Sequence, residues 1–525
     1  MVQPLDDITE SSERSPLDWR ESPFLRNAVK FGLGGVVLIF YATALLHFGY
    51  TPDDTFIYLR FAKNIINGGG FAFNPGEPTY GVTSPLWTLL IAAGGWVRLD
   101  LYLVAKVLDL IFASFALVVF YLLAFEVIRE RFIAFLATFA FSANVWFVRW
   151  ATSGMETSLS VLLVLVTVWY CLRNEYLIAT VACAFLTLVR PEGIALFLLI
   201  VVDIFLNSVK KRHAARLAVA SILSFSVLVA PWLIFAELEF GTVLPNTALA
   251  KSSVDMDFGG LASVAVAIGE TIATSSLLEL ILMVTVITWM AVRKDFIELR
   301  QHFLPLVWIA LLIVSYISAE VNVVSRYLLL VLPFVTLYGF FGLKKLLETF
   351  PRTARFGISV ALGLCALILI QNQYIYQAYV KQHIARFADG VEECLTPIAM
   401  WLKENTPDGT VVVAPDVGVI GYRSDRKICD IAGLITPEMK RLRRQGLTYD
   451  ELMTRHLFLP VCYPEYVVDR GEVPERLADE QFIPVLTRRF DGLGLAKPGT
   501  QFYTLYKVKP GITPKAELTM RAEGL

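Results

Sequence analysis

The chain has 525 residues, of which 56% are hydrophobic and only 18% are charged, and its formal net charge at pH 7 is −1. Soluble domains average about 25% charged residues, so this composition argues against an ordinary soluble protein. A net charge near zero also lacks the basic surplus on which nucleic-acid binding depends. The apolar residues are concentrated in blocks of about 17–25, which are long enough to cross about 30 Å of hydrocarbon. The sequence therefore predicts a polytopic membrane protein.

Eleven apolar blocks are predicted to cross the membrane as helices, after a polar cytoplasmic segment at residues 1–30. The blocks are residues 31–48, 102–127, 132–148, 157–172, 176–190, 192–207, 217–237, 274–292, 303–318, 328–343 and 356–372. The polar N-terminal segment carries both charge signs and lacks the pattern of a cleavable signal peptide. The first block is therefore predicted to remain in the protein as a span.

The loops between the spans indicate their orientation, because Lys and Arg are concentrated on the cytoplasmic side of membrane proteins. The apolar block 85–97 is short, and we expect it to be embedded from the outer side without crossing. With that choice the basic loops all fall on the cytoplasmic side, whereas a crossing at 85–97 would place them outside. The transmembrane region 31–374 then carries an outer loop at 49–84, and residues 375–525 also lie outside.

The first outer loop has structural signals of its own. Polar residues at positions 60, 63, 64 and 67 recur at helical spacing, which predicts a helix over 55–67 lying in the plane of the membrane interface. Three glycines at 68–70 suit the end of that helix, because glycine adopts the left-handed conformation of a C-cap. The sequence Asn-Pro-Gly-Glu at 74–77 predicts a turn. A loop of this length with its own structure is more often functional than connecting.

Residues 375–525 are predicted to form a separate soluble α/β domain. A helix is predicted at 395–405 and strands at 410–414 and 427–432, with the sequence DVGVIG between the strands. The glycines of DVGVIG do not match the dinucleotide-binding pattern G-x-G-x-x-G, so a nucleotide cofactor is not expected.

The cysteines and histidines suggest no soft-metal site. Three of the six cysteines lie in apolar spans, where they are expected to be small buried residues. The other three, Cys394, Cys429 and Cys462, lie in the outer part, where one disulfide can form and one thiol is left over. Because neither residue type follows a zinc-binding pattern, any bound metal would be a hard cation held by carboxylates.

The adjacent acids Asp53 and Asp54 at the start of the outer loop allow three interpretations. Either acid can cap the following helix by accepting hydrogen bonds from its unpaired N–H groups. One acid suffices for a cap, so the second suggests a general base or half of a divalent-cation site, with Glu156 as a further ligand. The residues alone leave these interpretations open.

Two further polar motifs fall on the same predicted outer side. Ser153 and Glu156 match the S-x-x-E capping box at the start of a span. Arg190, Pro191 and Glu192 suit the end of one helix and the start of the next. Taken singly, each motif is explained by helix capping alone.

Cations and acids nevertheless converge near one membrane face. Lys251 and Arg326 are typical of side chains that reach the interface from a span. Lys106 and Asp109, three residues apart in one span, are expected to line the same space. Together with the motifs above, these residues predict a cavity that holds a lipid-linked anionic substrate.

Residues 53–87, DDTFIYLRFAKNIINGGGFAFNPGEPTYGVTSPLW, resemble the first outer loop of bacterial GT-C-fold glycosyltransferases, in the branch of the mycobacterial terminal arabinofuranosyltransferase. Further matches follow in order: TSGMETSL, LVRPEG, GTVLPNTALAK, RYLLLVLP and PDVGVIGY…CDIAGL. The resemblance therefore covers most of the chain. It implies an all-α polytopic membrane bundle of the GT-C type with a C-terminal α/β domain. At Ser158 and Glu192 the chain differs from the residues found in some relatives, so the resemblance does not identify the sugar that is transferred.

The resemblance also implies an activity. A sugar would pass from a polyprenyl-phosphate donor to a hydroxyl of a cell-envelope glycan or glycolipid outside the cytoplasmic membrane, with inversion at the anomeric carbon. Asp53 or Asp54 would accept the proton of that hydroxyl, and Asp53 is the preferred base. Arg190, Lys251 and Arg326 would stabilise the negative charge that develops on the leaving phosphate.

The remaining residues that the resemblance assigns would bind substrate. Arg60 and Arg149 are additional cations, and Glu156 would orient a cation or a sugar hydroxyl. Asn246 would donate hydrogen bonds to sugar or phosphate, and Glu192 would lie beside them. No cofactor is assigned, and a divalent cation stays an open alternative.

Other functions are weighed against this one. Within enzymes, the alternative is a transferase that glycosylates lipid A or another lipid headgroup. A transporter or flippase of polyprenyl-linked sugars would show charges near mid-bilayer and two matching halves. The sequence contains no internal repeat and its polar groups cluster toward one face, which favours the enzyme. A non-catalytic scaffold would tolerate loss of both acids.

Overall fold

The computed structural model of the chain describes residues 23–208, 210–246, 258–321, 325–349, 356–443, 446–494 and 499–509, and most of them are helical. In chain order the helices are α1 (Pro23–Leu45), α2 (Asp53–Ile66), α3 (Pro85–Trp96), α4 (Leu101–Ile128), α5 (Arg131–Ser142), α6 (Val145–Trp150), α7 (Thr157–Leu172), α8 (Tyr176–Val189), α9 (Gly193–Asn207), α10 (Lys211–Phe240), α11 (Phe258–Val292), α12 (Phe296–Gln301), α13 (Phe303–Ser318), α14 (Ser325–Leu328), α15 (Leu332–Thr349), α16 (Gly357–Asn405), α17 (Val417–Ser424), α18 (Pro437–Arg443), α19 (Tyr449–Thr454) and α20 (Leu459–Cys462). The strands are β1 (Ala72–Asn74), β2 (Glu77–Pro78), β3 (Val411–Ala414), β4 (Lys427–Asp430), β5 (Tyr466–Gly471), β6 (Phe482–Asp491) and β7 (Thr500–Val508).

The apolar helices make this a multi-pass membrane protein. Among the described residues, the helical stretches α4, α10, α11 and α16 are long and apolar enough to cross a bilayer, judged by length and composition. Seven further apolar helices have 10–17 residues. Large apolar side chains such as Leu38, Leu223 and Ile234 are exposed, which suits contact with lipid. The total of eleven crossings stays a prediction.

Several predicted spans match helices closely, and one does not. The predicted spans 157–172 and 303–318 coincide with α7 and α13. The predicted span 132–148 is wrong as a single helix, because the chain breaks between α5 and α6. The Asn144 side chain accepts hydrogen bonds from the backbone N–H groups of Trp146 and Phe147 and so caps α6. Hydrogen bonds of this kind satisfy backbone groups where a helix is interrupted inside the protein.

Helix α16 carries the chain from the bilayer into the C-terminal part without a break. It runs for 49 residues and includes two π-helical turns, Tyr376–Val380 and Val391–Leu395. The predicted helix 395–405 is the end of α16. The predicted domain boundary near residue 375 therefore falls inside a continuous helix.

The C-terminal unit, which we define as residues 406–509, contains one five-stranded sheet with the order β4-β3-β5-β7-β6. Strand β3 is parallel to β4 and β5, while β7 is antiparallel to β5 and β6. Helix α17 is the crossover between the parallel strands β3 and β4, as parallel pairing requires. Both strands predicted from the sequence are confirmed, at β3 and β4. A disulfide joins Cys429 to Cys462 and leaves Cys394 as a buried thiol, which confirms the expected single bridge.

Helix α2 begins and ends close to the predicted bounds, and its position in the membrane interface stays a prediction, but part of its polar face is buried by protein. Arg60 and Asn64 are only 2% and 4% exposed. The Arg60 guanidinium donates to the Phe73 carbonyl and to Asp425, and the Asn64 amide donates to the Ala72 and Phe73 carbonyls. Arg60 and Asn64 thus contact protein, whereas Asn67 at the end of the same face is exposed.

The outer loop and the C-terminal unit are packed against each other. The Asn74 side chain donates to the Ile428 carbonyl and accepts from the Ile428 N–H, so it pairs with the edge strand β4. Lys427 forms an ion pair with Glu77. A single hydrophobic cluster includes side chains of both parts, such as Phe56 of α2 and Ile420 of α17. The loop and the unit therefore share one core.

Candidate functional site

A cavity of about 300 Å³ lies where α2, the end of the outer loop, the two loops before α7 and α9, and α14 meet. This volume is near the lower end of the range of about 300–1,000 Å³ for small-molecule sites. Five predicted site residues line the cavity: Asp54, Glu156, Arg190, Glu192 and Arg326. Segments far apart in the chain are thus brought to one cavity.

The charged side chains of the cavity form two connected sets. In the first, Arg326 Nη2 lies 2.6 Å from Asp54 Oδ2. In the second, Arg190 lies between Glu156, at 3.0 Å from Nη2 to Oε1, and Glu192, at 3.5 Å from Nη1 to Oε1. Three carboxylates therefore surround two guanidinium groups, and each guanidinium is held by acids of the cavity itself.

Several buried polar atoms of this cavity have no hydrogen-bond partner among the described residues. They include Nε of Arg190, Nε of Arg326, Oε2 of Glu156 and Oε2 of Glu192. Leaving a buried polar atom unpaired costs about 1–3 kcal/mol, so such atoms gain most from a polar ligand. The cavity therefore offers both donors and acceptors to a ligand that carries hydroxyl groups and negative charge.

Aromatic rings support the two guanidinium groups. Arg190 lies over the ring of Tyr327 at 4.9 Å, and Arg326 lies over Trp150 at 5.5 Å. The Tyr316 hydroxyl donates to Glu192 Oε1 at 2.9 Å. These contacts restrict the rotation of the side chains and keep their polar atoms directed at the cavity.

The loop before α7 is shaped so that Glu156 reaches the cavity. Gly154 has φ +78°, and a Cβ there would lie 2.9 Å from Thr55, so glycine suits both the backbone angle and the close contact. The Asp109 carboxylate accepts hydrogen bonds from the Gly154 N–H and the Ser153 hydroxyl. The predicted capping box is wrong, because α7 begins at Thr157 and Glu156 makes no capping hydrogen bond.

Lys106 and Asp109 form hydrogen bonds with loop segments next to the cavity. Lys106 Nζ donates to the carbonyl oxygens of Phe48, Tyr50 and Thr152, at 2.9, 2.6 and 2.6 Å. Neither residue is among the described lining of the cavity, so the prediction that they line it is wrong. Their hydrogen bonds instead fix the backbone on both sides of the site.

Asp53 and Asp54 point in different directions, and the N-cap position of α2 is taken by Pro52, which provides no side-chain hydrogen bond. Asp53 lies outside the described lining of the cavity. Its two oxygens accept hydrogen bonds from the backbone N–H groups of Gly418 and Val419, each at 2.8 Å. Burial beneath the C-terminal unit, reinforced by the Asp416 carboxylate, raises the pKa of Asp53, while the two N–H donors act in the opposite direction. Both carboxylate oxygens of Asp53 are thus engaged in hydrogen bonds with the C-terminal unit.

The other predicted cations lie away from the cavity or beyond the described residues. Arg60 joins α2 to the C-terminal unit through Asp425. Arg149 donates to the Tyr50 hydroxyl at 2.9 Å and lies 3.3 Å from His383 Nδ1. Lys251 falls in 247–257, outside the described residues. None of these three supplies a described contact to the cavity.

Asn246 lies at the edge of the site. Its backbone N–H donates to the Tyr80 carbonyl, and its side-chain amide donates to the carbonyl of Leu434, which lines the cavity. It is therefore a neighbour of the cavity, although it is not among the described lining residues.

Sequence reasoning missed the tyrosines of the site. Tyr58, Tyr316 and Tyr327 all line the cavity. Burial and the Glu156 carboxylate raise the pKa of Tyr58, so its hydroxyl stays protonated. Tyr58 follows Asp54 by four residues, a spacing that places both on one helical face, and this was a usable signal.

The three acids considered as ligands of a divalent cation each have another partner among the described residues. The described residues contain no group of three or more His, Cys, Asp or Glu side chains that could hold an ion. Asp54 is paired with Arg326, Glu156 with Arg190, and Asp53 with the backbone of α17. Each of the three acids is therefore already engaged by an arginine or by backbone N–H groups.

Comparison with known proteins gives partial matches in sequence. Residues 378–506 match a family described as a domain of unknown function (DUF8728). An alignment of 233 residues is 30% identical to the terminal β-(1→2)-arabinofuranosyltransferase of Mycobacterium tuberculosis, covering 39% of this chain and 35% of that protein. The chain thus spans about a third of the length of this curated relative.

Solved structures match over most of the chain. ArnT from Cupriavidus metallidurans bound to undecaprenyl phosphate superposes with a TM-score of 0.58 at 12% identity, covering 90% of this chain and 98% of ArnT. The apo oligosaccharyltransferase of Archaeoglobus fulgidus gives 0.55 at 13% identity, covering 83% of this chain and 69% of that protein. The chain therefore has the GT-C fold of these membrane proteins, as the sequence resemblance implied.

Proposed function

We propose that this protein is a membrane glycosyltransferase that moves a sugar from a polyprenyl-phosphate donor to a hydroxyl of a cell-envelope glycan or glycolipid. The observation that carries the proposal is the cavity, where Asp54 lies beside two buried guanidinium groups with unpaired Nε donors. The GT-C fold and the names of the similar proteins support the same class of reaction. The proposed site of action is the outer face of the bacterial cytoplasmic membrane, because the basic loops face the other side.

Asp54, and not Asp53, is the proposed base. Asp54 lines the cavity and its side chain is 45% exposed, so an acceptor hydroxyl can approach it. Asp53 is turned toward α17 and accepts two backbone hydrogen bonds there. A general base must lie within hydrogen-bond reach of the proton that it takes, and of the two adjacent acids Asp54 is the one that lines the cavity.

The proposed reaction is a single displacement with inversion. The acceptor oxygen forms a bond to the anomeric carbon, and its proton passes to the Asp54 carboxylate. The bond between the anomeric carbon and the phosphate oxygen breaks, and its electron pair stays on the polyprenyl phosphate. Arg190 and Arg326 stabilise the charge that develops on this leaving group, because their donors are fixed in place before the reaction.

The remaining predicted residues take subsidiary parts in the proposal. Glu156 and Glu192 hold Arg190 and present their second oxygens to sugar hydroxyls. Asn246 lies at the edge of the cavity, and Lys251, which follows it by five residues and lies outside the described residues, is proposed as a third cation for the phosphate. A divalent cation that enters together with the donor phosphate is the alternative to a reaction without metal.

The proposal is tested by mass spectrometry of lipids and glycans from cells that produce the wild-type protein or Asp54→Asn at equal levels. We expect Asp54→Asn to accumulate one polyprenyl-phosphate sugar and to lose that same sugar from one glycan or glycolipid. The matched control is Asp408→Asn, because Asp408 also pairs with an arginine at 2.6 Å but is fully exposed in the C-terminal unit.

The identity of the product separates the alternatives. Loss of the sugar from a lipid headgroup, and not from a glycan, identifies the headgroup transferase. Profiles that are identical for wild type and Asp54→Asn, but altered by deletion of the gene, contradict the proposed base and favour transport or a scaffold.

A further inference from the structure

The N-terminus of helix α17 is filled by a side chain of the first outer loop. Helix α17 follows the carboxyl end of β3, which is where α/β units commonly bind anionic ligands. Here the anion is the Asp53 carboxylate, which accepts from the Gly418 and Val419 N–H groups at 2.8 Å. A Cβ at Gly418 would lie 2.0 Å from the Asp53 carbonyl oxygen, so this close approach requires glycine.

Helix α2 also holds the opposite end of α17. Asp425 is the C-cap of α17, and its Oδ1 lies 2.5 Å from both Arg60 Nη1 and Lys63 Nζ. Asp53 and Arg60 are seven residues apart on α2, and the ends of α17 that they hold are separated by a similar number of residues. The two helices therefore lie side by side in the same direction, joined at both ends of α17.

The two faces of α2 serve different parts of the molecule. A helix turns about 100° per residue, so Asp53, Arg60 and Asn64 share one face. Asp54 and Tyr58 lie about 100° or more around the axis, on the face that borders the cavity. The contacts of Asp53 hold the start of α2 against α17, while Arg60 and Asn64 anchor the same face further along. The Asp54 side chain follows Asp53 directly, so its direction depends on how the start of the helix is held.

We infer that Asp53 is a positioning residue: by binding the N-terminus of α17, it lets the docked C-terminal unit aim Asp54 at Arg326 and the cavity. This inference rests on the proposed function, since it assigns Asp54 as the base. Removing the Asp53 carboxylate leaves every cavity residue in the chain but releases the start of α2 from α17. Displacing a reacting group by about 1 Å can cost about 10²-fold in rate.

The test measures docking and catalysis separately in the full-length protein in nanodiscs. Docking is read from amide hydrogen exchange of residues 417–421. Catalysis is read as kcat and as KM for the polyprenyl-phosphate sugar identified by the lipid analysis above. For Asp53→Asn we expect exchange at these amides to speed up at least tenfold. We expect kcat to fall about 10- to 100-fold while KM changes less than about twofold.

Glycine substitutions provide a second test that leaves Asp53 in place. Gly418→Ala is expected to reproduce both effects of Asp53→Asn, because the new Cβ displaces Asp53. Gly499→Ala is the matched control, since nothing lies within 4 Å of a Cβ at this position of the same unit, and it should resemble wild type in both readouts. If Asp53→Asn does not fold, Asp425→Asn loosens the C-terminal end of α17 and is expected to lower kcat about threefold, with faster exchange at residues 422–425.

The outcomes distinguish the inference from the function on which it rests. Faster exchange in Asp53→Asn with wild-type kcat overturns the positioning role, as does a lower kcat with unchanged exchange. Asp54→Asn is expected to abolish transfer while exchange at 417–421 stays at the wild-type level. An active Asp54→Asn protein contradicts the proposed base, whereas the exchange measurement still reports whether Asp53 holds α17.

Discussion

The Nη2 atom of Arg326 lies 2.6 Å from Oδ2 of Asp54, although the two residues are 272 positions apart in the chain. Arg326 is buried and Asp54 is accessible from the cavity, so the arginine both orients the proposed base and borders the proposed phosphate position. We expect Arg326→Lys to lower kcat/KM about 10- to 100-fold, because lysine lacks the planar fork that serves two partners at once. Steady-state kinetics with the identified donor will measure this loss.

The control for Arg326 is an arginine whose ion pair lies outside the cavity. Arg423 donates to Glu392 at 2.6 Å on the surface of the protein. Arg423→Lys should leave kcat/KM within about twofold of wild type, since exposed ion pairs contribute little. Equal losses in both variants would contradict a specific part for Arg326.

Tyr316 supports Glu192 through a hydrogen bond of 2.9 Å and belongs to the lining of the cavity. Tyr316→Phe removes only this hydroxyl, so we expect a loss of about 1 kcal/mol in donor binding, or about a fivefold rise in KM. Binding of the identified polyprenyl-phosphate sugar, measured in the absence of acceptor by the shift in thermal stability at increasing ligand concentration, tests the same contact without turnover. The exposed Tyr379 provides the control variant Tyr379→Phe, for which neither value should change.

Lys106 is fully buried and donates to three backbone carbonyls that hold the loops beneath the site. Lys106→Met removes these donors and leaves the carbonyls unpaired, each at a cost of about 1–3 kcal/mol. We therefore expect a large drop in the yield of folded protein and in the temperature of thermal inactivation. Lys381→Met, at an exposed position, should leave both unchanged. A stable but inactive Lys106→Met protein would show that Lys106 acts in the reaction itself.

The carboxylates of the cavity are paired with arginines, which leaves them poorly arranged as ligands for a hard cation. We expect transfer activity to change less than about twofold when divalent cations are removed with EDTA. Activity assays with EDTA, and with EDTA followed by added Mg²⁺, Mn²⁺ or Ca²⁺, provide the measurement. A loss that one of these ions restores would establish the cation-dependent alternative.

The disulfide between Cys429 and Cys462 closes a segment with a sequence separation of 33 residues in the C-terminal unit. Closing a loop of this size contributes about 4 kcal/mol in the chain-entropy model, so Cys429→Ser should lower the stability of the unit markedly. Cys394→Ser is the control, because Cys394 is a buried thiol outside the bridge.

The same bridge reports on orientation, since disulfides persist in oxidising compartments. Protein denatured directly from cells is expected to react with a maleimide at Cys429 and Cys462 only after reduction. Reaction without reduction would place the C-terminal unit on the cytoplasmic side and contradict the proposed orientation.

Local patterns in the sequence predicted many elements correctly. Apolar blocks bounded by polar residues predicted α7 and α13 together with their first and last residues. Short runs of β-branched residues predicted β3 and β4. The interrupted span at Asn144 was missed, because an asparagine inside an apolar block becomes a cap only when other helices satisfy the broken backbone. Element type depends mainly on neighbours in sequence, whereas such breaks depend on distant partners.

The sequence predicted several residues of the site, but not how these residues are arranged in space. Order and spacing along the chain were enough to nominate Glu156, Arg190, Glu192 and Arg326, all of which line the cavity. The family resemblance also nominated Arg60 and Arg149, yet they bind Asp425 and Tyr50. A charged residue near the right membrane face has several partners within reach, and charge and position along the chain do not choose among them.

The different directions of the Asp53 and Asp54 side chains could not be predicted from the sequence. Composition and periodicity by themselves determined a multi-pass membrane protein, a helix after the acid pair, and a polar loop outside the bilayer, because these depend on residues close together in the chain. Which acid faces the cavity depends on the Gly418 and Val419 N–H groups, 365 and 366 positions away. Only the tertiary structure decided this, because the direction of a side chain on a helix is set by the surface that packs against it.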